Sequence, residues 1–133
     1  MKYLNQHFYL IVLFHILFTG CGTYSSDEDN MDGSFNTVVS SISPNDGEKS
    51  VYTNTSVSVR FSKIMNSSTI TTNSSDTSCS GTLQVSSDSF STCVQMSASP
   101  TASNSNKTFS VTPSSRLPYG TNYKVRLSNV IKS

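Results

Sequence analysis

Histidine is almost absent from this chain of 133 residues, and its two copies, His7 and His15, both lie within the first twenty positions. Imidazole is the usual general base near neutral pH and the commonest metal ligand in proteins. Beyond residue 20 the chain therefore lacks the base that Ser-His and Cys-His nucleophile schemes require, and its many serines are unactivated alcohols. This absence argues against an enzyme.

The short motifs of catalysis and metal binding are also missing. The serine-rich stretches contain neither Gly-x-Ser-x-Gly nor Ser-x-x-Lys. The tripeptide Asp76-Thr77-Ser78 lacks the glycine of the Asp-Thr-Gly of aspartic proteases, and Asp88-Ser89-Phe90 does not supply a partner for it. Two cysteines beyond Cys21, with no histidine beside them, are too few for a zinc site. We expect no catalytic residue, no metal and no cofactor.

The apolar run near the N-terminus is too short to cross a membrane. Residues 8–18 form a run of eleven, whereas a spanning helix needs about 20. A positive Lys2 precedes the run, and small residues before Cys21 follow it. This order is that of an export signal rather than of part of a fold.

The segment from Leu17 to Cys21 resembles the bacterial lipobox, in which small residues precede a cysteine that receives a diacylglyceryl group before cleavage. Phe18 stands where the strict pattern has an aliphatic residue, a departure that spirochaetal lipoboxes tolerate. The resemblance implies a lipoprotein signal peptide at residues 1–20 and a palmitate-type lipid on Cys21 that anchors the protein to a membrane. The expected location is the bacterial cell envelope, with the outer membrane favoured. The alternative is an ordinary secretory peptide with an unrelated cysteine.

Residues 21–34 read as an acidic, flexible tether, because they combine four carboxylates with small polar neighbours and nothing that can bury a core. Part of this stretch has the spacing of a calcium-binding EF-hand loop. However, the first position is Glu28 instead of Asp, and the twelfth is Val39 instead of Glu. We therefore expect a solvated linker and no calcium site.

Beyond the tether, short alternating segments separated by turns predict an all-β sandwich. The clearest is residues 56–61, where Val57, Val59 and Phe61 share one face and Ser56, Ser58 and Arg60 share the other. The same alternation predicts strands at residues 37–43, 83–85, 94–96, 109–111 and 123–127. Gln84 and Ser86 are expected to point outward.

Two blocks of sequence resemble the S-layer type of bacterial Ig-like domain. The first has Pro44-x-x-Gly47, then a strand ending in Phe61-Ser62, then Ile64-Met65 and Thr69-Ile70. The second is residues 111–125, where a strand ends at Thr112-Pro113 and a Gly120-Thr121 turn introduces the next strand. Residues 79–93 further resemble Ig-like repeats of leptospiral lipoproteins of unassigned role. The resemblance covers most of residues 42–127.

This resemblance implies an Ig-like β-sandwich at residues 35–133, which matches the size of about 100 residues for one such domain. Members of the family continue past the segment 123–130 into a turn and a closing strand, which this chain lacks. We therefore expect a C-terminally truncated domain without its last strand and with an open sheet edge. The alternative is that residues 37–42, or a strand from a partner, fill the gap.

Cys79 and Cys93 are expected to form a local disulfide, because an exported chain meets an oxidising compartment and turn-forming residues separate the pair. The closed loop has about fifteen residues, for which the chain-entropy estimate is roughly 3 kcal/mol. Tyr123 follows the Gly120-Thr121-Asn122 turn in a position like the tyrosine corner of Ig-like folds. The alternative is a half-buried core aromatic.

Arg60, Lys124 and Arg126 are expected on outward faces, where they could join into a basic stripe for an anionic glycan or a protein ligand. The alternative is that they are solvated charges without a common function. No nucleic acid partner is expected. The sequence as a whole favours a non-catalytic structural or adhesive module. Two alternatives stay open: a binder of a host or envelope ligand through the basic face, and a nonfunctional truncated paralogue.

Overall fold

The computed structural model describes residues 8–11 and 39–133, and its regular secondary structure there is almost entirely strand. In chain order these are β1 (Phe8–Ile11), β2 (Val39–Ser43), β3 (Val57–Phe61), β4 (Leu83–Ser86), β5 (Thr101–Ser103), β6 (Thr108–Val111) and β7 (Tyr123–Leu127). A single 3-10 turn, Ser67–Thr69, lies between β3 and β4. Within this described part, none of the helical structure is long and apolar enough to cross a membrane. The predicted all-β class is confirmed.

The strands form two sheets. The four-stranded sheet has the order β2-β3-β6-β5, and all its neighbours are antiparallel. The three-stranded sheet has the order β1-β7-β4, in which β4 is antiparallel to β7 and β1 is parallel to it. The first order is that of the A, B, E and D strands of an Ig-like sandwich, and β4 and β7 take the places of C and F. The strand alternation thus produces the predicted two-layer architecture.

The core lies between the inner faces of the two sheets, as the period-two pattern predicts. Val57 and Val59 are fully buried from one side, and Val125 is fully buried from the other. Phe61 and Phe109 contact each other edge to face, with ring centroids 6.1 Å apart. Burying each such side chain contributes about 1.5–3 kcal/mol. The hydrophobic residues of several short strands therefore meet in one continuous core.

Strand β2 contains an irregularity that reconciles its sequence with its burial. Val39 and Ile42 are three positions apart and would face opposite sides of a regular strand. The register with β3 shifts between Val39 and Ser41, and both apolar side chains pack against the core. An extra residue in one strand of an antiparallel pair has this effect, because it resets the alternation beyond it.

Two expectations about the middle of the chain were wrong. Residues 94–96 form no strand: Met96 makes one isolated bridge with Pro113, and the Val94 N–H donates to the Val85 carbonyl at 2.8 Å. Gln84 and Ser86 are not exposed, because they are 7% and 0% accessible. Loop backbone on either side of β4 folds over them, so this strand is covered on both faces.

The N-terminal segment also differs from expectation. Residues 1–21 were predicted to be an export signal outside the fold. Of these, Phe8–Ile11 runs parallel to β7, with Phe8 opposite Tyr123 and Ile11 opposite Arg126. The β7 edge is therefore covered. The segment 37–42 does not cover it, because β2 is paired with β3 in the other sheet. Cys21, the acidic tether and the proposed cleavage site lie outside the described residues.

The last residues cross the end of the sandwich instead of forming a further strand. Residues 128–133 contain a turn and no strand. Ile131 packs against the core, and the Lys132 carbonyl accepts a hydrogen bond of 2.9 Å from the Asn66 N–H. This segment therefore closes one end of the core and leaves the position beside β7 to β1.

Candidate functional site

The three cations predicted to form a basic stripe lie on two different sheets. Arg60 is exposed on the outer face of β3 in the four-stranded sheet. Lys124 and Arg126 alternate with the buried residues of β7 and therefore lie on the outer face of the three-stranded sheet. Because the two outer faces are on opposite sides of the sandwich, Arg60 cannot join the other two. The structure brings together Lys124 and Arg126 only.

Arg126 is held in place by the fold itself. It lies opposite Gln84 in the β4–β7 register, and its Nε donates to Gln84 Oε1 at 2.8 Å. Its Nη2 donates to the same oxygen. The Arg126 guanidinium also lies over the Phe90 ring, 4.1 Å from the centroid, where a cation–π contact contributes about 0.5–2 kcal/mol. We refer to Gln84, Phe90 and Arg126 as the Arg126 cluster.

Gln84 also bonds the residues that lead into β4. Its Nε2 donates to the Cys79 carbonyl at 2.9 Å and to the Gly81 carbonyl at 2.8 Å. With Oε1 accepting from Arg126, both ends of the buried amide are hydrogen-bonded, which avoids the cost of an unsatisfied buried polar group. The amide therefore ties β7 to the segment that leads into β4.

The disulfide loop, residues 79–93, contains β4 and the turn that follows it. Cys79 and Cys93 are joined by a disulfide with a Cα–Cα distance of 4.9 Å, and the Cys93 N–H donates to the Thr77 carbonyl at 2.8 Å. Asn73, which precedes the loop in the chain, is 2% accessible. Its Nδ2 donates to two backbone carbonyls, those of Asp76 and Val94. Covalent and hydrogen-bonded links thus hold the loop as one unit.

Phe90 is placed under Arg126 by a tight turn built around Asp88. Ser89 and Phe90 both have left-handed backbone, with φ of 60° and 65°, which non-glycine residues adopt uncommonly. Ser86 Oγ accepts from the N–H of Phe90 at 2.9 Å, and it donates to Asp88 Oδ1 at 2.8 Å. The hydrogen bonds of the turn therefore hold the strained residues.

The Asp88 carboxylate is stabilised in its charged form. The Thr92 hydroxyl donates to Oδ2 at 2.6 Å, and the Thr92 N–H donates to both oxygens. These bonds, together with that from Ser86, lower the pKa of Asp88 from its ordinary 3.8 to about 2. The carboxylate is therefore an acceptor that organises the turn. Sequence reasoning missed this role, although the spacing Ser86-x-Asp88-x-x-x-Thr92 is a signal for local side-chain capping.

Tyr123 is buried more deeply than either sequence interpretation stated. It is 2% accessible, and this burial raises the pKa of its phenol, while a hydrogen bond with the Thr121 side chain acts in the opposite direction. The residue belongs to the core of the three-stranded sheet and positions the start of β7.

The outer face of the four-stranded sheet carries paired hydroxyl groups. Ser56 Oγ and Thr112 Oγ1 are 2.7 Å apart, and Ser58 Oγ and Ser110 Oγ are also 2.7 Å apart. These pairs join β3 and the residue before it to β6 and the residue after it. In residues 8–11 and 39–133 there is no group of three or more His, Cys, Asp or Glu side chains that could hold a metal.

Comparison with known proteins agrees with this architecture. A family model described as a bacterial Ig-like domain matches residues 36–133. Domains of this kind are generally non-catalytic. Neither the curated proteins nor the solved structures give a significant match.

Proposed function

The chain belongs to the bacterial Ig-like domain family over residues 36–133, and on this premise we propose that it is a lipid-anchored envelope protein with one structural or adhesive Ig-like module. The observation that carries the anchor is the apolar run at residues 8–18 followed by small residues and Cys21. The S-layer type of the domain, and its likeness to leptospiral lipoproteins, are part of the same proposal.

A lipid on Cys21 accounts for membrane attachment without a spanning helix. Each buried methylene contributes about 0.8 kcal/mol, so several acyl chains hold a protein far more firmly than one chain does. The acidic tether, residues 21–34, then separates the sandwich from the membrane surface. The sandwich is displayed at the end of this tether, as a structural or adhesive module requires.

We prefer this role to binding through a basic face. Arg60 lies on the opposite sheet from Lys124, and Arg126 is engaged by Gln84 and Phe90. The two remaining neighbours on β7 offer less positive charge than the predicted stripe of three. A non-catalytic module also agrees with serine hydroxyls that hydrogen-bond to one another.

Mass spectrometry of the full chain expressed in a bacterial host tests the anchor. The expected mass corresponds to residues 21–133 plus a lipid adduct on the N-terminal cysteine, and the protein partitions into the detergent phase. In a Cys21→Ser variant the adduct is lost and residues 1–20 stay attached. A mature chain that lacks residues 1–20 but carries no lipid, or an unmodified full-length chain, would contradict the proposal.

A further inference from the structure

The outer edge of β7 is the place where one strand of this sandwich can be exchanged. On the side away from β4, the described neighbour of β7 is β1, which runs parallel to it over four residue pairs. β1 occupies the position of the G strand beside F in an Ig-like sandwich. Unlike a hairpin-connected strand, it is separated from its partner by more than a hundred residues of chain, since Phe8 pairs with Tyr123.

The proposed processing removes this strand. Phe8–Ile11 lies within residues 1–20, which are cut off when Cys21 becomes the N-terminus. The backbone N–H and C=O groups of β7 that face β1 then lose their partners. An edge with unpaired backbone groups is a template for pairing with another chain.

We propose that the β7 edge of the mature lipoprotein is a strand-acceptor site that binds an extended, alternately apolar segment of a partner polypeptide, parallel to β7. This inference rests on the proposed function, because removal of residues 1–20 is what vacates the site. In the full chain, Phe8–Ile11 occupies the site.

The register defines the chemistry of the segment. Positions 8 and 10 pair with Tyr123 and Val125, which are buried in the core. The partner therefore needs large apolar residues at its first and third positions. Positions 9 and 11 pair with Lys124 and Arg126, so acidic residues at the second and fourth positions complement the charge of the outer face. The expected partner is a strand with apolar and acidic residues in alternation.

Hydrogen–deuterium exchange at β7 tests the vacated edge. The processed lipoprotein in detergent is compared with the Cys21→Ser variant, which keeps residues 1–20. Alternate amides of residues 123–127 should exchange roughly tenfold faster in the processed form, which is the value of about one net hydrogen bond. Equal protection of β7 in the two forms would overturn the proposal.

Addition of a peptide tests the acceptor. A peptide of residues 5–13 should restore slow exchange at β7 of the processed protein. The matched control peptide carries Tyr9→Pro and Leu10→Pro. The N–H groups of two adjacent strand residues point to opposite sides, so the two prolines together remove the N–H that faces β7. If the two peptides protect β7 equally, or if neither protects it, the proposed acceptor site is contradicted. Protection that appears only with protein dimerisation would assign the edge to a second copy and overturn the inference.

A separate arm distinguishes failure of the anchor from failure of the acceptor. A protease site is placed within residues 22–34 of the full chain, and the folded protein is cleaved and washed free of the N-terminal fragment. Exchange at β7 is then measured in the same way. If mass spectrometry shows no lipid on Cys21 but this cleaved form binds the peptide, the anchor fails and the acceptor stands. If the cleaved form does not bind it, the acceptor fails independently.

Discussion

Arg126 stabilises the sandwich through contacts with residues that are distant in sequence. Its guanidinium joins Gln84 on β4 and the ring of Phe90 in the turn. We expect Arg126→Ala to lower the free energy of unfolding by about 1–3 kcal/mol, because the Gln84 oxygen loses its donors. Lys124→Ala on the same face is the control and should cost no more than about 0.5 kcal/mol. Urea denaturation measures both, and equal midpoints would refute the role given to the Arg126 cluster.

Gly81 is required by a close approach of two backbones. It has φ of +82°, and a Cβ there would lie 2.7 Å from the Thr72 Cα. Gly47 has φ of +72° but open space around it, so it is the matched control. Left-handed backbone alone costs about 1–2 kcal/mol in either alanine variant. Overpacking should lower the free energy of unfolding of Gly81→Ala by about 1–3 kcal/mol more than that of Gly47→Ala. Similar thermal midpoints for the two variants would disprove the steric contribution.

Asp88 makes stability depend on acid pH. The hydrogen bonds from Thr92 and Ser86 lower its pKa from 3.8 to about 2, so the folded protein binds this proton more weakly than the unfolded chain. The stabilisation is therefore complete above about pH 4 and is lost as the pH falls towards about 2. Asp88→Asn should remove this part of the acid dependence, so that the free energies of unfolding of the variant and the parent converge at low pH. Asp46→Asn is the charge-matched control.

Urea denaturation across this pH range, with an NMR titration of the Asp88 carboxyl, measures the effect. A difference between parent and Asp88→Asn that is as large at pH 2 as at neutral pH would rule out the linkage.

The disulfide loop should contribute to stability as an element. It joins positions 14 apart, and a closed loop of about this length gives roughly 3 kcal/mol in the chain-entropy account. We expect reduction to lower the urea midpoint of the parent to that of a Cys79→Ser/Cys93→Ser variant. Reductant should leave the variant unchanged. A parent midpoint that does not respond to complete reduction, verified by thiol titration, would show that the bond does not stabilise the loop.

At the level of elements, the sequence predicted the strands whose alternation is strong. Val57, Val59 and Phe61 identified β3, and the alternation of Tyr123, Val125 and Leu127 identified β7. β5 was missed because Thr101–Ser103 carries no large apolar residue and is exposed throughout. Met96 was assigned to a strand because it is apolar, whereas its burial comes from a chain crossing that makes only one bridge.

The site was less predictable than the fold, because its contacts join residues that are distant in sequence. The Cys79–Cys93 bond could be expected because the two cysteines are close in the chain and form an even pair once Cys21 is set aside. The contact of Arg126 with Gln84 joins residues 42 apart, and no local pattern specifies such a pair. The alternation separates Gln84 from the core residues Leu83 and Val85, but the chain segments that bury Gln84 could not be predicted from it.

Within residues 39–133 the buried hydrophobic residues form one core. Buried residues of both sheets belong to one continuous cluster, which also takes in Met65, Ile70 and Leu117 from the connecting segments. We therefore expect the Ig-like domain to unfold in one cooperative transition, with coincident urea curves from circular dichroism and tyrosine fluorescence. Non-coincident curves, or none with a defined midpoint, would favour the alternative of a nonfunctional fragment.

The parallel pair of β1 and β7 joins the first described strand to the last. Phe8 and Tyr123 are 115 positions apart (123 − 8), and at ribosomal rates of about 5–20 residues per second this is roughly 6–23 s of synthesis. During this interval residues 8–11 have emerged while their partner has not been made. β1 therefore has no strand partner until β7 is synthesised, so the parallel pair can form only after the residues of β2 to β6 have been made.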